Sequence, residues 1–66
     1  MDNKKANKKE VKVTYQNGLN IRKEPSKESE IIGVLECSEI VELTAKRNGY
    51  GHFDKGWIDL NFTIEV

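Results

Sequence analysis

The chain reads as an all-β domain, a small closed barrel or orthogonal sandwich of five to seven short strands. Three observations predict it. Apolar residues recur at period two in short runs, as at Val11, Val13 and Tyr15 and again at Val41, Leu43 and Ala45. Two Asn-Gly dipeptides, Asn17-Gly18 and Asn48-Gly49, punctuate those runs, and this pair suits the positive φ of tight reversals. The third observation is size. With 66 residues the chain makes one domain, and an open sheet this small would leave long unpaired edges that closure removes.

The elements follow in order. Residues 1–10, MDNKKANKKE, carry almost no apolar surface to offset the entropy of ordering, so they are expected to form a disordered basic tail ahead of a domain at 11–66. No apolar segment follows the lysines, so they are not a secretory signal; the readings that fit are a chain cytoplasmic from Met1, a domain excerpted from an exported, envelope-bound protein, and a phage-type protein released without a signal. Val11, Val13 and Tyr15 alternate with Lys12, Thr14 and Gln16, a half-buried strand. Beyond Asn17-Gly18, Leu19 and Ile21 alternate with Asn20 and Arg22, a second strand. Residues 23–30, KEPSKESE, are wholly polar, hold the only proline and read as an exposed loop.

Residues 31–46 contain good helix formers, and Val34, Cys37 and Val41 fall near one helical face. Gly33 and the strict alternation at 41–46 weigh for strands at 31–36 and 39–46, with a turn at Cys37-Ser38. Asn48-Gly49 leads into the aromatic run Tyr50 to Phe53. Asp54-Lys55-Gly56 makes another turn, Trp57-Ile58 opens a strand, Asp59 to Phe62 suits a short turn or one turn of 3₁₀ helix, and Thr63 to Val66 closes the sheet. The expected core is Val13, Leu19, Ile21, Ile32, Leu35, Val41, Leu43, Phe53, Ile58 and Leu60.

Charge narrows the function classes. The net charge is zero, yet residues 1–12 carry five lysines against two acidic side chains, and the rest carries six basic against nine acidic. A mildly acidic domain lacks the cationic face that nucleic-acid binding needs, so DNA and RNA are disfavoured as partners. No run approaches the roughly 20 apolar residues of a membrane helix. One Cys and one His cannot supply a four-ligand zinc site, and no paired carboxylates or phosphate loop is present, so no cofactor is expected. Cys37 and His52, with Asp54 or Asp59 to orient the imidazole, are the one candidate nucleophile–base set. They lie on different elements of a domain with little room for a closed cleft, and an inert turn thiol is the favoured reading, so the chain is not expected to be an enzyme.

In order, Leu19-Asn20-Ile21-Arg22, Pro25-Ser26, Ile31-Ile32-Gly33-Val34-Leu35, Asn48-Gly49-Tyr50 and Gly56-Trp57-Ile58 resemble the bacterial SH3-like domain over roughly residues 11–62. Glu24 stands where the family usually has Gly before the proline, Ser38 where a turn Gly is usual, Tyr50 where Trp is common, and Gly51 where a larger residue is. The resemblance implies an SH3-like β-barrel that acts as a binding module. Such domains are commonly appended to peptidoglycan hydrolases, phage lysins and other envelope proteins, and some mediate protein contacts instead.

In the wider SH3-like class, ligands lie on aromatic residues beside the polar loop. The resemblance therefore implies a groove of Tyr15, Tyr50, His52 and Trp57, with Asn20 and Arg22 as polar contacts. Tyr50 and His52 share a parity opposite to Phe53, so they face outward if Phe53 is core. Trp57 has the opposite parity to Ile58 and serves either as groove platform or as partial core. Each residue has a plainer role as well: cross-strand packing for the rings, turn support for Asn20, and a surface ion pair with Glu24 or Glu28 for Arg22. The expected ligand is peptidoglycan or its peptides, bound by a monomer without membrane insertion. The alternative is an intracellular or phage-encoded module that binds an extended partner peptide.

Overall fold

A computed structural model describes residues 9–66. Eight strands and one short helix form: β1 (Lys9–Val13), β2 (Leu19–Arg22), β3 (Ile31–Leu35), β4 (Ile40–Leu43), β5 (Ala45–Arg47), β6 (Tyr50–Phe53), β7 (Gly56–Asp59), a 3₁₀ turn (Leu60–Phe62) and β8 (Thr63–Glu65). Among the described residues no helix is long and apolar enough to cross a membrane. The pairings are antiparallel and make two sheets, β4-β1-β8 and β3-β2-β7-β6-β5. This is the all-β, SH3-like architecture expected.

The strand count exceeds the expected seven because the run at 39–46 breaks at Thr44. There the chain leaves the small sheet and enters the large one. The corner is tied to β6, since the Thr44 amide donates to the His52 carbonyl at 2.8 Å. β1 begins at Lys9, with Lys9 opposite Leu43 and Glu10 opposite Glu42, so two residues of the expected tail belong to the sheet. The rest of that segment, 1–8, lies outside the described residues. β1 also ends at Val13, before Tyr15.

The core lies between the sheets. Val11, Val13, Leu19, Ile21, Leu35, Leu43, Phe53 and Ile58 form one buried cluster, with Val41 and Leu60 packed partly buried against it. Gly51 faces this cluster, and a Cβ there would lie 2.8 Å from methyls of both Leu43 and Leu60. Ile32 departs from the expected core at 49% exposure. The β2–β3 register slips between Ile21 and Arg22, so that Arg22 pairs with Ile31 and Ile32 is the extra residue of a bulge.

The turns follow local chemistry. Asn48 (φ 55°) and Gly49 (φ 81°) both take the left-handed region, the requirement of a primed two-residue hairpin turn. Asp59 caps the 3₁₀ turn, its Oδ1 accepting from the Asn61 amide at 2.9 Å. Gly56 has φ 149°, and a Cβ would sit 2.7 Å from the Arg22 carbonyl oxygen, a backbone atom that cannot step aside. Gly56→Ala is therefore expected to cost about 1–3 kcal/mol in backbone strain alone, with the clash in addition. Urea unfolding of the variant checks this, and a loss below about 0.5 kcal/mol, the size of a neutral surface change, would contradict it.

Candidate functional site

The site lies on the outer face of the large sheet. Residues directly opposite each other in an antiparallel pair share a face. Ile31 pairs with Arg22, Arg22 with Trp57, Trp57 with His52, and His52 with Ala45, one row running across the whole sheet. Asn20 pairs with Val34, and Tyr50 pairs with both Asp59 and Arg47. Alternation along β2, β6 and β7 puts Asn20, Tyr50 and Asp59 on the same face as that row. The opposite face carries Leu19, Ile21, Gly51 and Ile58 toward the core.

The polar loop at 23–30 folds back over this face. Arg22 Nη1 donates to the Ser29 carbonyl at 2.8 Å, and the Lys23 amide donates to the Glu30 carbonyl, so the loop is closed at its base. Ser29 Oγ accepts from the Glu24 amide at 2.8 Å and braces it from within. At the far side Asn48 Nδ2 donates to the Pro25 carbonyl at 3.5 Å, across 23 residues of sequence. The Arg22 contact replaces the surface ion pair with Glu24 or Glu28 that the sequence suggests.

Between loop and sheet lies a cavity of about 220 Å³, lined by Leu19, Asn20, Arg22, Lys27, Tyr50, Asp59 and Phe62. Three of the six residues singled out from sequence, Asn20, Arg22 and Tyr50, meet in it. Tyr50 points to the outer face, as its parity requires, but it is only 7% exposed and stands outside the core cluster. It is a covered floor, not the exposed platform expected. Tyr15 is exposed beyond the end of β1 and adjoins the cavity through Phe62, the two rings 5.0 Å apart and tilted by 60°. His52 and Trp57 do not line the cavity. They form a half-buried ring pair, centroids 4.9 Å apart, in the same row as Arg22.

Lys27, Asp59, Phe62 and Leu19 are cavity residues that the sequence reading did not select. Asp59 at a predicted turn and Phe62 as an aromatic in a polar stretch carried a weak signal; Lys27 carried none, because its place depends on how the loop folds. Cys37 and His52 are engaged elsewhere. His52 Nδ1 is 2.8 Å from Thr44 Oγ1, and Cys37, exposed in its turn, has Sγ 3.9 Å from Ser38 Oγ. A wider groove of about 530 Å³, bounded by Glu39, Glu42, Asp54 and Lys55, holds none of the residues singled out as binding.

The family model of the bacterial SH3 domain matches residues 17–64, from the first Asn-Gly turn to the last strand. The chain belongs to the bacterial SH3 domain family. No curated protein and no solved structure gives a match. This bacterial SH3 domain thus has the fold of a family of binding modules. Its loop-covered cavity combines two cations, one carboxylate and an aromatic floor, groups that can fix the orientation of a ligand with both charged and apolar parts.

Proposed function

We propose that this bacterial SH3 domain is a non-catalytic targeting module that recognises cell-wall peptidoglycan through its peptide portion. The support is the size and chemistry of the cavity under the loop. At about 220 Å³ it falls below the roughly 300–1,000 Å³ of sites that enclose a whole small molecule, so it suits one or two side chains of an extended ligand. Arg22 and Lys27 offer a carboxylate partner, Asp59 offers an ammonium partner, and Leu19, Tyr50 and Phe62 supply apolar contact. The Tyr15–Phe62 and His52–Trp57 ring pairs flank the cavity and give stacking surface to the parts of the ligand that lie outside it.

Co-sedimentation with purified sacculi tests the reading. The intact chain is expected to be enriched in the pellet, and Lys27→Ala and Trp57→Ala, both changes outside the buried core, are expected to reduce that enrichment at least fivefold. Absence of enrichment, or enrichment that neither change alters, would reject it.

A further inference from the structure

The free edge of β3 has features that the loop-covered cavity does not use. Among the described residues β3 closes one side of the large sheet and pairs with β2 alone. Its five residues, Ile31 to Leu35, carry no charge. Three of the eight exposed large apolar side chains among the described residues sit in it: Ile31 and Ile32 at 49% and Val34 at 60%. The other edge of the same sheet, β5, is the short run Ala45-Lys46-Arg47, whose two cations discourage pairing. Two exposed carboxylates bracket β3 instead, Glu30 just before it and Glu36 just after.

That charge pattern selects among partners. Antiparallel pairing of β3 with β3 of a second copy, centred on Gly33, would set Glu30 of each chain against Glu36 of the other, and like charges opposed across strands are unfavourable. An extended segment with an apolar centre and basic ends meets the edge without that conflict. We propose that β3 is a strand-addition site that accepts an extended, lysine- or arginine-flanked segment of another protein as the sixth strand of the large sheet. Backbone hydrogen bonds to the outward groups of β3 supply affinity, side chains packed on Ile31 and Val34 set the register, and Glu30 and Glu36 select the charge. The site is independent of the cavity beneath the 23–30 loop.

The test uses the full chain and three capped heptapeptides. In the first, Thr and Val alternate between terminal lysines; in the second, glutamates replace the lysines; the third is the first with alternate backbone nitrogens methylated. Amide chemical shifts locate the binding, and a dye on Cys37, the single cysteine and an exposed one, measures affinity. The lysine-flanked peptide is expected to shift the amides of Ile31–Leu35, to bind at least tenfold tighter than the glutamate-flanked one, and to lose binding on methylation. Val34→Lys should weaken it at least tenfold, and Glu30→Lys with Glu36→Lys should reverse the charge preference. All three positions are exposed, so the shift map away from residues 30–36 and their paired neighbours should stay unchanged. Equal affinity for both charge types, shifts confined to Arg22, Tyr50 and their cavity neighbours, or a concentration-dependent dimer of the chain alone that perturbs β3 would each overturn the proposal.

Discussion

Ile58→Ala is expected to remove about 2–5 kcal/mol of folding stability. Ile58 has no exposed surface, stands opposite Gly51 in the β6–β7 pair, and is the largest of the fully buried side chains. Gly51 offers no side chain to fill the space that truncation leaves, and Leu43 and Leu60 already occupy the place its Cβ would take on the face it shares with Ile58. The neighbours therefore have little slack with which to collapse into the void. At about 0.05–0.15 kcal/mol per residue a domain of this size holds roughly 3–10 kcal/mol in all, so the change takes a large share of it. Trp57, the only tryptophan, reports unfolding in a urea titration. The midpoint should fall by half or more, whereas Ile64→Ala, on a side chain 54% exposed, should stay within about 0.5 kcal/mol of the parent. A loss below about 1 kcal/mol at Ile58, smaller than any seen for such truncations, would mean that the two sheets do not close on this residue.

The inner face of the domain was legible in the sequence because period-two alternation is a local signal. Leu19, Ile21, Leu43, Phe53 and Ile58 follow from it directly, while the Asn48-Gly49 turn and the short 3₁₀ turn after Asp59 follow from local turn chemistry. Most of the misreadings share a cause, a contact made by chain distant in sequence. Ile32 is different: it lies three positions from Leu35, so a regular strand already turns it to the other face, and the bulge opposite Arg22 does not bring it inward. Tyr50 has the parity of a surface residue and is buried nonetheless, because the cavity wall is completed by residues of a loop more than 20 positions earlier. The same loop brings Lys27 to the site. Thr44 lies in a run that alternates like one straight strand, and the passage to the second sheet is set by its bonds to His52, not by any helix- or strand-breaking residue. The residues implied by the family resemblance include three of the seven that line the cavity, Asn20, Arg22 and Tyr50, because the motifs mark strands and turns and not the fold of the loop above them.

Arg22 is where fold and proposed function meet, and Arg22→Ala should separate the two. Its guanidinium lines the cavity and also holds the loop shut through the Ser29 carbonyl. Loss of a charge-assisted hydrogen bond costs about 1.5–3 kcal/mol when both partners are well shielded. Arg22 is only half-buried, so a stability loss of about 1 kcal/mol is expected from this bond between a cation and a backbone carbonyl. The effect on binding should be larger, at least tenfold in affinity for peptidoglycan-derived peptides, because the loop that places Lys27 over Tyr50 loses its anchor. Arg22→Lys distinguishes anchoring from simple charge. An ammonium keeps the charge but lacks the planar fork that can bond Ser29 and still present a donor to the cavity. If the guanidinium acts by holding the loop, Arg22→Lys should resemble Arg22→Ala in affinity, and in both variants hydrogen exchange at the Glu24 and Ser29 amides, which donate within the loop, should quicken while that of Ile58 stays slow. If Arg22→Lys binds like the parent, the loop is not positioned by this contact, and the cavity attracts its ligand by charge alone.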